Sequence, residues 1–366
     1  MFDKLLAVFI SLSVLSYASG MSLYTFADRY LMIGTMCLAA LALIFCEPKR
    51  RLIPTWPALF LLFCVWHVFS KPFHPLSQHA LFNIFFALII FYLTLMYAED
   101  IRWTIGTVVA VSVINMAWAI GQQHGFDLIF NANEGLPAGF LIDHQSLAGY
   151  IALSASLFAY YLYGLPILAP VLFCVSLNNF TALFANLISA VFTAARRPYP
   201  HLIALSVLGF SLVGLCIQNK AFGLMNKIAL RFDLWEKTLS QALTAPLSGY
   251  GLGRFVEFGS KINPDSNVNY FTAKSDYLEF GHEIGPIPAA GIILAIAVIL
   301  INRYRRAVKT FTLRIITASI MSFSIMLLAQ SHLRNPKIAP VFMVILAWFY
   351  ILTERPSKTT LEGDVK

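Results

Sequence analysis

The sequence predicts an all-α integral membrane protein of about twelve transmembrane helices with one long helical periplasmic loop. Three observations carry that expectation. Of 366 residues, 58% are hydrophobic and only 12% charged, far from the soluble average of about 45–50% apolar and about 25% charged. Mean hydropathy is +0.72. Apolar runs recur along the chain, each close to the roughly 17–25 residues that cross a bilayer as a helix. A soluble enzyme with a large core is excluded on these grounds.

The expected spans lie near 4–21, 30–46, 54–70, 80–98, 103–121, 140–160, 162–177, 180–195, 200–218, 286–302, 311–331 and 336–353. The first run follows Lys4 and ends in "YASG". It has the look of a signal peptide but fits the charge pattern better as an uncleaved first helix. The formal net charge is +8. Nucleic acid is not the expected partner, because Lys and Arg gather at the ends of apolar runs, as cytoplasmic loops require. With the N-terminus inside, one side receives Lys49, Arg50, Arg51, Arg102, Arg196, Arg197, Arg303, Arg305, Arg306, Lys309, Arg355 and Lys358. Both termini are then cytoplasmic. The organisation reads as membrane helices in 1–218, a periplasmic loop at 219–285, further membrane helices in 286–353 and a cytoplasmic tail at 354–366. The five cysteines, Cys37, Cys46, Cys64, Cys174 and Cys216, fall in or beside apolar runs and form no CxxC or Cys/His cluster. They read as packing residues, not as a disulfide framework or zinc site.

The loop is too rich in aromatics for a linker, with Trp235, Tyr250, Phe255, Tyr270, Tyr277 and Phe280. Ile228, Leu230, Leu234, Trp235 and Leu239 fit an amphipathic helical stripe. Ala245-Pro246 ends that helix, since a residue before proline avoids the α region. "LSGYGLGRF" follows, with glycines suited to a tight turn and close backbone approach. The spacing is neither a Rossmann nor a P-loop fingerprint.

Three blocks resemble the O-antigen ligase and O-antigen polymerase superfamily. "RFDLWEKTLSQALTAPLSGYGLGRF" (Arg231–Phe255) is similar to its R…W…P-L-x-G-x-G-x-x-F block. "AKSDYLEFGHEIGPIPAAG" (Ala273–Gly291) is similar to the block that follows, and "DHQSLAGYIALSAS" (Asp143–Ser156) to its helix opening with a His/Asn pair. The resemblance implies a GT-C type glycosyltransferase. It takes a glycan from undecaprenyl diphosphate at the periplasmic face of the bacterial inner membrane. The acceptor is lipid A–core for a ligase or a second lipid-linked glycan for a repeat-unit polymerase. Membrane lipids are the other partner, and neither a cofactor nor a metal is expected, because the donor is already activated.

Two motifs depart from that pattern. A ligase reads His, then Asn, Ser or Gln, nine residues, Gly, two residues, then Gly, Thr or Tyr. Here those positions open on Lys274 and close on Pro288. Where the family carries Ser-Arg before the loop, this chain has Asn179 and Phe180. An inactive glycan-lipid-binding homologue therefore stays open, as does a transporter or flippase. Within the resemblance, Arg231, Arg254, His144 and His282 are the candidate substrate-binding residues. Lys274, Asp276 and Glu279 are the candidate catalytic ones. Arg231 offers a planar fork for a diphosphate, against lipid anchoring as the plainer role. Arg254 tips the glycine turn, or is simply solvated there. Asp276, Glu279 and Glu283 offer carboxylates to take an acceptor proton, or favour a helix N-terminus near Ser275. His74, His79 and His332 read as interfacial.

Overall fold

A computed structural model describes residues 1–15, 23–49, 51–71, 74–124, 139–141, 144–162, 180–194, 221–259, 273–308 and 310–354. Among these residues every regular element is helical. In chain order they are α1 (Phe2–Leu15), α2 (Leu23–Phe45), α3 (Trp56–Phe69), α4 (Pro75–Tyr97) and α5 (Ile101–Gln123). Next come α6 (His144–Ser154), a 3₁₀ turn (Ala155–Phe158), α7 (Ala159–Leu162) and α8 (Phe180–Ala194). The remainder are α9 (Ala221–Thr244), α10 (Phe255–Gly259), α11 (Asp276–Ile284), α12 (Pro286–Arg306), α13 (Phe311–Ala329) and α14 (Ala339–Thr353).

Among the described residues, four helices are long and apolar enough to cross a membrane: α4, α5, α12 and α13. The apolar helices in α2, α3 and α14 are shorter. The expected spans at 162–177 and 200–218 lie outside the described residues, as do Arg50, Arg196, Arg197, Lys309, Arg355 and Lys358. The expected span at 140–160 is broken by the 3₁₀ turn instead of running as one helix.

Local chemistry sets the helix ends. The Asp100 carboxylate accepts from Arg102 N at 3.0 Å and caps α5. His74 Nδ1 accepts from Leu76 N at 3.2 Å, with Pro75 opening α4. Thr310 and Ser275 cap α13 and α11 in the same way. Each cap satisfies one amide that the first turn leaves open.

The core forms where α14 packs on α4, α13 on α8 and α1 on α5. Two tryptophans have their ring nitrogens paired there. Trp56 Nε1 donates to the Tyr350 hydroxyl at 2.5 Å, and Trp348 Nε1 to Thr104 Oγ1 at 3.0 Å. By contrast Ala289 alone is buried along α12, which exposes Ile287, Leu294, Val298 and Ile301. A fully apolar exposed face on a spanning-length helix is a lipid face.

One end of the bundle collects described members of the basic set that the sequence assigns to a single side. Arg51 donates to Leu95 O at 2.7 Å and Ala98 O at 2.6 Å. Asp3 accepts from Glu99 N at 3.1 Å, Lys49 pairs with Glu99, and Glu354 accepts from Leu52 N at 3.0 Å. Arg303 donates to Thr353 Oγ1 at 3.2 Å. The last turn of α12 adds Arg305 and Arg306. At the other end, residues 67–71, 74–76, 139–141, 144–146, 244–259, 273–285 and 330–338 meet.

The α9 helix has three faces, which corrects the single stripe read from the sequence. Leu234, Thr238 and Ala242 are buried, with Arg231, Trp235 and Gln241 half-buried beside them. Asp233 and Lys237 form an i,i+4 ion pair at 2.8 Å on the polar side. Phe232, Leu239 and Leu243 are exposed on a third side. A period of 3.6 cannot separate two neighbouring apolar faces. For that reason Leu230 and Leu239, expected inside, are exposed.

Candidate functional site

The short helix α11 organises the second end. It starts at Ser275, whose hydroxyl accepts from Leu278 N at 3.4 Å, and stops at Gly285, where φ is +95°. Its side chains Asp276, Glu279, His282 and Glu283 are all buried. Amphipathicity alone does not bury four ionisable groups, so each needs a partner.

Arg334 supplies the main one. It lies in the connection between α13 and α14, and its guanidinium grips Glu283 with both arms, Nη1 to Oε1 at 2.8 Å and Nη2 to Oε2. Burial works against the Arg334 charge, but Glu283 and Glu279 more than offset this and hold its pKa above the ordinary value. Glu283 Oε1 also accepts from Phe255 N at 3.3 Å, just beyond the glycine turn. Asp276 holds the same connection by its backbone, since its Oδ2 accepts from His332 N at 2.5 Å and Leu333 N at 3.1 Å.

The glycine turn is stitched onto the end of α11. Tyr250 N donates to His282 O at 3.2 Å and Gly251 N to Glu283 O at 2.8 Å. Gly249 has φ +62°, and a Cβ there would collide with the Glu283 backbone. A Cβ on Gly253, φ +77°, would stand 2.5 Å from Leu76 O. From α3 and its end, His67 Nε2 bonds Ser248 O at 2.5 Å, and Lys71 Nζ donates to Ser248 Oγ at 2.8 Å and Gly249 O at 3.1 Å. Glycine is required because three backbones meet here.

The three sequence blocks therefore converge. From α6, Gln145 Oε1 accepts from Lys274 Nζ at 3.3 Å and Ser146 Oγ accepts from Asn335 Nδ2 at 2.9 Å. Gly149 leaves room for the His332 ring, which a Cβ would strike. Trp235 Nε1 donates to Ala273 O at 3.1 Å and ties α9 to the segment that enters α11.

The candidate residues fall as follows. Lys274 is half-buried in left-handed backbone, φ +54°. Desolvation raises Asp276 to about 6, against the help of its two backbone donors. Glu279 is raised to about 8, chiefly by burial, with Arg334 opposing and Glu283 adding. Arg231 sits one turn before Trp235 on the α9 face that packs on α11. No carboxylate or carbonyl partners its guanidinium among the described residues, and burial alone lowers its pKa. Arg254 folds over its own turn, where a Cβ on Gly251 would stand 2.8 Å from its Cδ. His282 is enclosed between the rings of Tyr250 at 4.7 Å and Phe258 at 4.8 Å, with Phe255 edge-on at 5.4 Å. Its nitrogens have no partner among the described residues, and burial lowers its pKa. His144 opens α6, but its side chain lies outside the described residues, as does Asn179.

Sequence reasoning missed Arg334 and Lys71. It also took two histidines as interfacial that the structure engages. His74 caps α4 and pairs with Glu257 at 2.6 Å, while His332 is buried against Phe323. Among the described residues no group of three His, Cys, Asp or Glu is placed to hold a metal ion. A groove of about 620 Å³ lined by Ser11, Asp100, Arg102, Trp103 and Thr107 lies at the basic end and contains none of the candidate residues. No protein-family model matches the chain, and no curated protein sequence matches it.

Two outcomes follow from this geometry. Gly249→Ala is expected to cost at least about 2 kcal/mol, because left-handed backbone and a backbone collision add. Gly281→Ala, in the same region with nothing near its Cβ, should be neutral or stabilising by about 0.5–1 kcal/mol. Thermal unfolding of the two purified variants in detergent compares them, and equal stability would mean that the turn is not seated on α11.

The second concerns Glu279. Its folded pKa, about 8, stands above the ordinary 4.5. Stability from this group is complete below about pH 4.5 and is lost as pH rises through about 8. Asp276, half-titrated near 6, is largely ionised by about pH 7, and the His282 pKa lies below 6.5, so the decline between about pH 7 and 8 belongs to Glu279. Melting temperatures across that window should fall for the native chain and stay flat for Glu279→Gln. A Gln variant with the same slope would assign the proton elsewhere.

Proposed function

We propose that the chain is a multi-pass inner-membrane glycosyltransferase of the O-antigen ligase type. It moves a glycan from undecaprenyl diphosphate to lipid A–core, with residues 219–285 on the periplasmic side of about twelve spans. The observation that carries this reading is Arg231. It is a half-buried guanidinium with no acid beside it among the described residues, on the helix face that leads to Lys274 and the buried carboxylates. A structural arginine in such a place normally has a carboxylate partner. One without a partner suits an anionic ligand, and a planar fork suits phosphate.

The chemistry is a substitution at the anomeric carbon. The acceptor hydroxyl oxygen attacks that carbon, and the bond from carbon to phosphate oxygen breaks with its electron pair leaving on the diphosphate. The hydroxyl proton passes to a carboxylate of the Asp276 and Glu279 pair. Arg231 meets the growing negative charge, with Lys274 and Arg254 as further cations. Grouping of Lys49, Arg51, Arg102 and Arg303 at the other end supports a cytoplasmic position for that end. A repeat-unit polymerase is the second reading. The replacement of the ligase histidine by Lys274, a cation held by the neutral Gln145 amide, favours it.

The test is Arg231→Ala in a transfer assay with lipid-linked glycan. A lost hydrogen bond to a charged group costs about 1.5–3 kcal/mol, so transfer should fall by about tenfold or more. Arg231→Lys should recover little of it, since lysine lacks the fork. Lys49→Ala, at the basic end, serves as the matched control. Full transfer by Arg231→Ala would sink the phosphate-clamp reading.

A further inference from the structure

Beside the acid pair, three buried polar atoms lack a partner among the described residues: Glu279 Oε2, Gln330 Nε2 and Ser331 Oγ. Gln330 and Glu279 are only 1% and 2% exposed. They belong to two elements that pack together, α11 and the end of α13. Gln330 is oriented from its far side, where Oε1 meets His332 Nε2 at 2.7 Å. This fixes the side-chain amide while its nitrogen stays unpaired. Ser331 lies close enough for its hydroxyl to ease ionisation of Glu279, yet no hydrogen bond of normal geometry closes between them.

Open polar groups in a protein interior are costly, about 1–3 kcal/mol each. Three in one corner point to something that completes them. The donor and acceptor inventory says what. The Gln330 amide nitrogen only donates, the Ser331 hydroxyl does either, and the Glu279 carboxyl accepts when ionised. A hydroxyl guest can accept from the amide and donate to the carboxylate. The nearby Arg334 charge is already engaged by Glu283, so it is not offered to an anion. A cation would meet the amide N–H.

We propose that Gln330, Ser331 and Glu279 form a subsite for a neutral sugar hydroxyl, separate from the anion site at Arg231. In identifying the guest as a hydroxyl of the acceptor glycan, the assignment rests on the transferase reading above. The subsite then sets the acceptor oxygen against the carboxyl that takes its proton. Gln330 and Ser331 act by positioning.

Binding of methyl glycosides of glucose, galactose and N-acetylglucosamine to the full chain in lipid nanodiscs tests this, read by saturation-transfer difference NMR. At least one glycoside should bind. Ser331→Ala and Gln330→Leu should each weaken it by about tenfold, the loss of one to two buried hydrogen bonds, while Arg231→Ala leaves it unchanged. Ser331→Ala should not lower thermal stability, because among the described residues no hydrogen bond of normal geometry closes on the hydroxyl it removes. If Gln330→Leu fails to fold, Ser331→Ala carries the test alone. No binding by any glycoside would overturn the proposal and leave the corner to ordered water. So would undiminished binding by Ser331→Ala, or loss of binding in Arg231→Ala. Transfer from undecaprenyl diphosphate is measured separately. Sugar binding without any transfer would reject the transferase reading and leave the subsite standing.

Discussion

The bidentate pair between Arg334 and Glu283 is the interaction on which the end of the molecule opposite the basic groups depends. It joins the connection before the last helix to a short helix that precedes α12. Through Glu283 it also reaches the glycine turn, since Phe255 N and Gly251 N both bond that residue. Breaking a buried pair by removing one partner typically costs about 3–5 kcal/mol, because the other charge is left without compensation. Replacing both partners with apolar groups often costs little. The pair is therefore better understood as fixing one arrangement than as adding stability. Here the arrangement is the approach of four sequence-distant segments.

One arginine faces three buried carboxylates, and that imbalance shapes the chemistry. Glu283 takes the guanidinium and Asp276 takes two backbone amides. Glu279 receives neither. Its raised pKa is the electrostatic consequence, and its unpartnered oxygen is the geometric one. Arg231, on the neighbouring helix α9, is half-buried with no acid acting on it, so the only guanidinium that acts on Glu279 among the described residues is that of Arg334. His282, enclosed by aromatic rings one turn along α11, serves packing under the turn more directly than substrate contact.

Much of the scaffold was legible in the residues. Apolar runs gave the four helices long enough to span, α4, α5, α12 and α13, while Ala245-Pro246 marked the end of α9 and Ser275 the start of α11. The glycines of "LSGYGLGRF" announced close approach, and Gly249 and Gly253 make it. The partners were not legible. Arg334 stands in a stretch that reads as a plain connection between two spans, and nothing local says that its charge turns inward to Glu283. The polar density of "QSHLRNPK" between two apolar helices was the available signal. Lys337 illustrates the same limit. It falls inside an expected span, yet it is buried, with its ammonium donating to Phe140 O at 2.8 Å. Burial of charge is decided by tertiary partners, and one-dimensional periodicity carries no record of them.

The account stands or falls on whether Arg334 and Glu283 act as one unit in assembling the site. A double-mutant cycle with Glu283→Gln, Arg334→Met and the double variant, read by thermal or chemical unfolding of the purified full chain, measures that directly. The predicted result is strong coupling, on the order of 2 kcal/mol or more, with the double variant more stable than the sum of the single losses implies. Additive losses would contradict it, because the two charges would then be holding the fold independently and not each other.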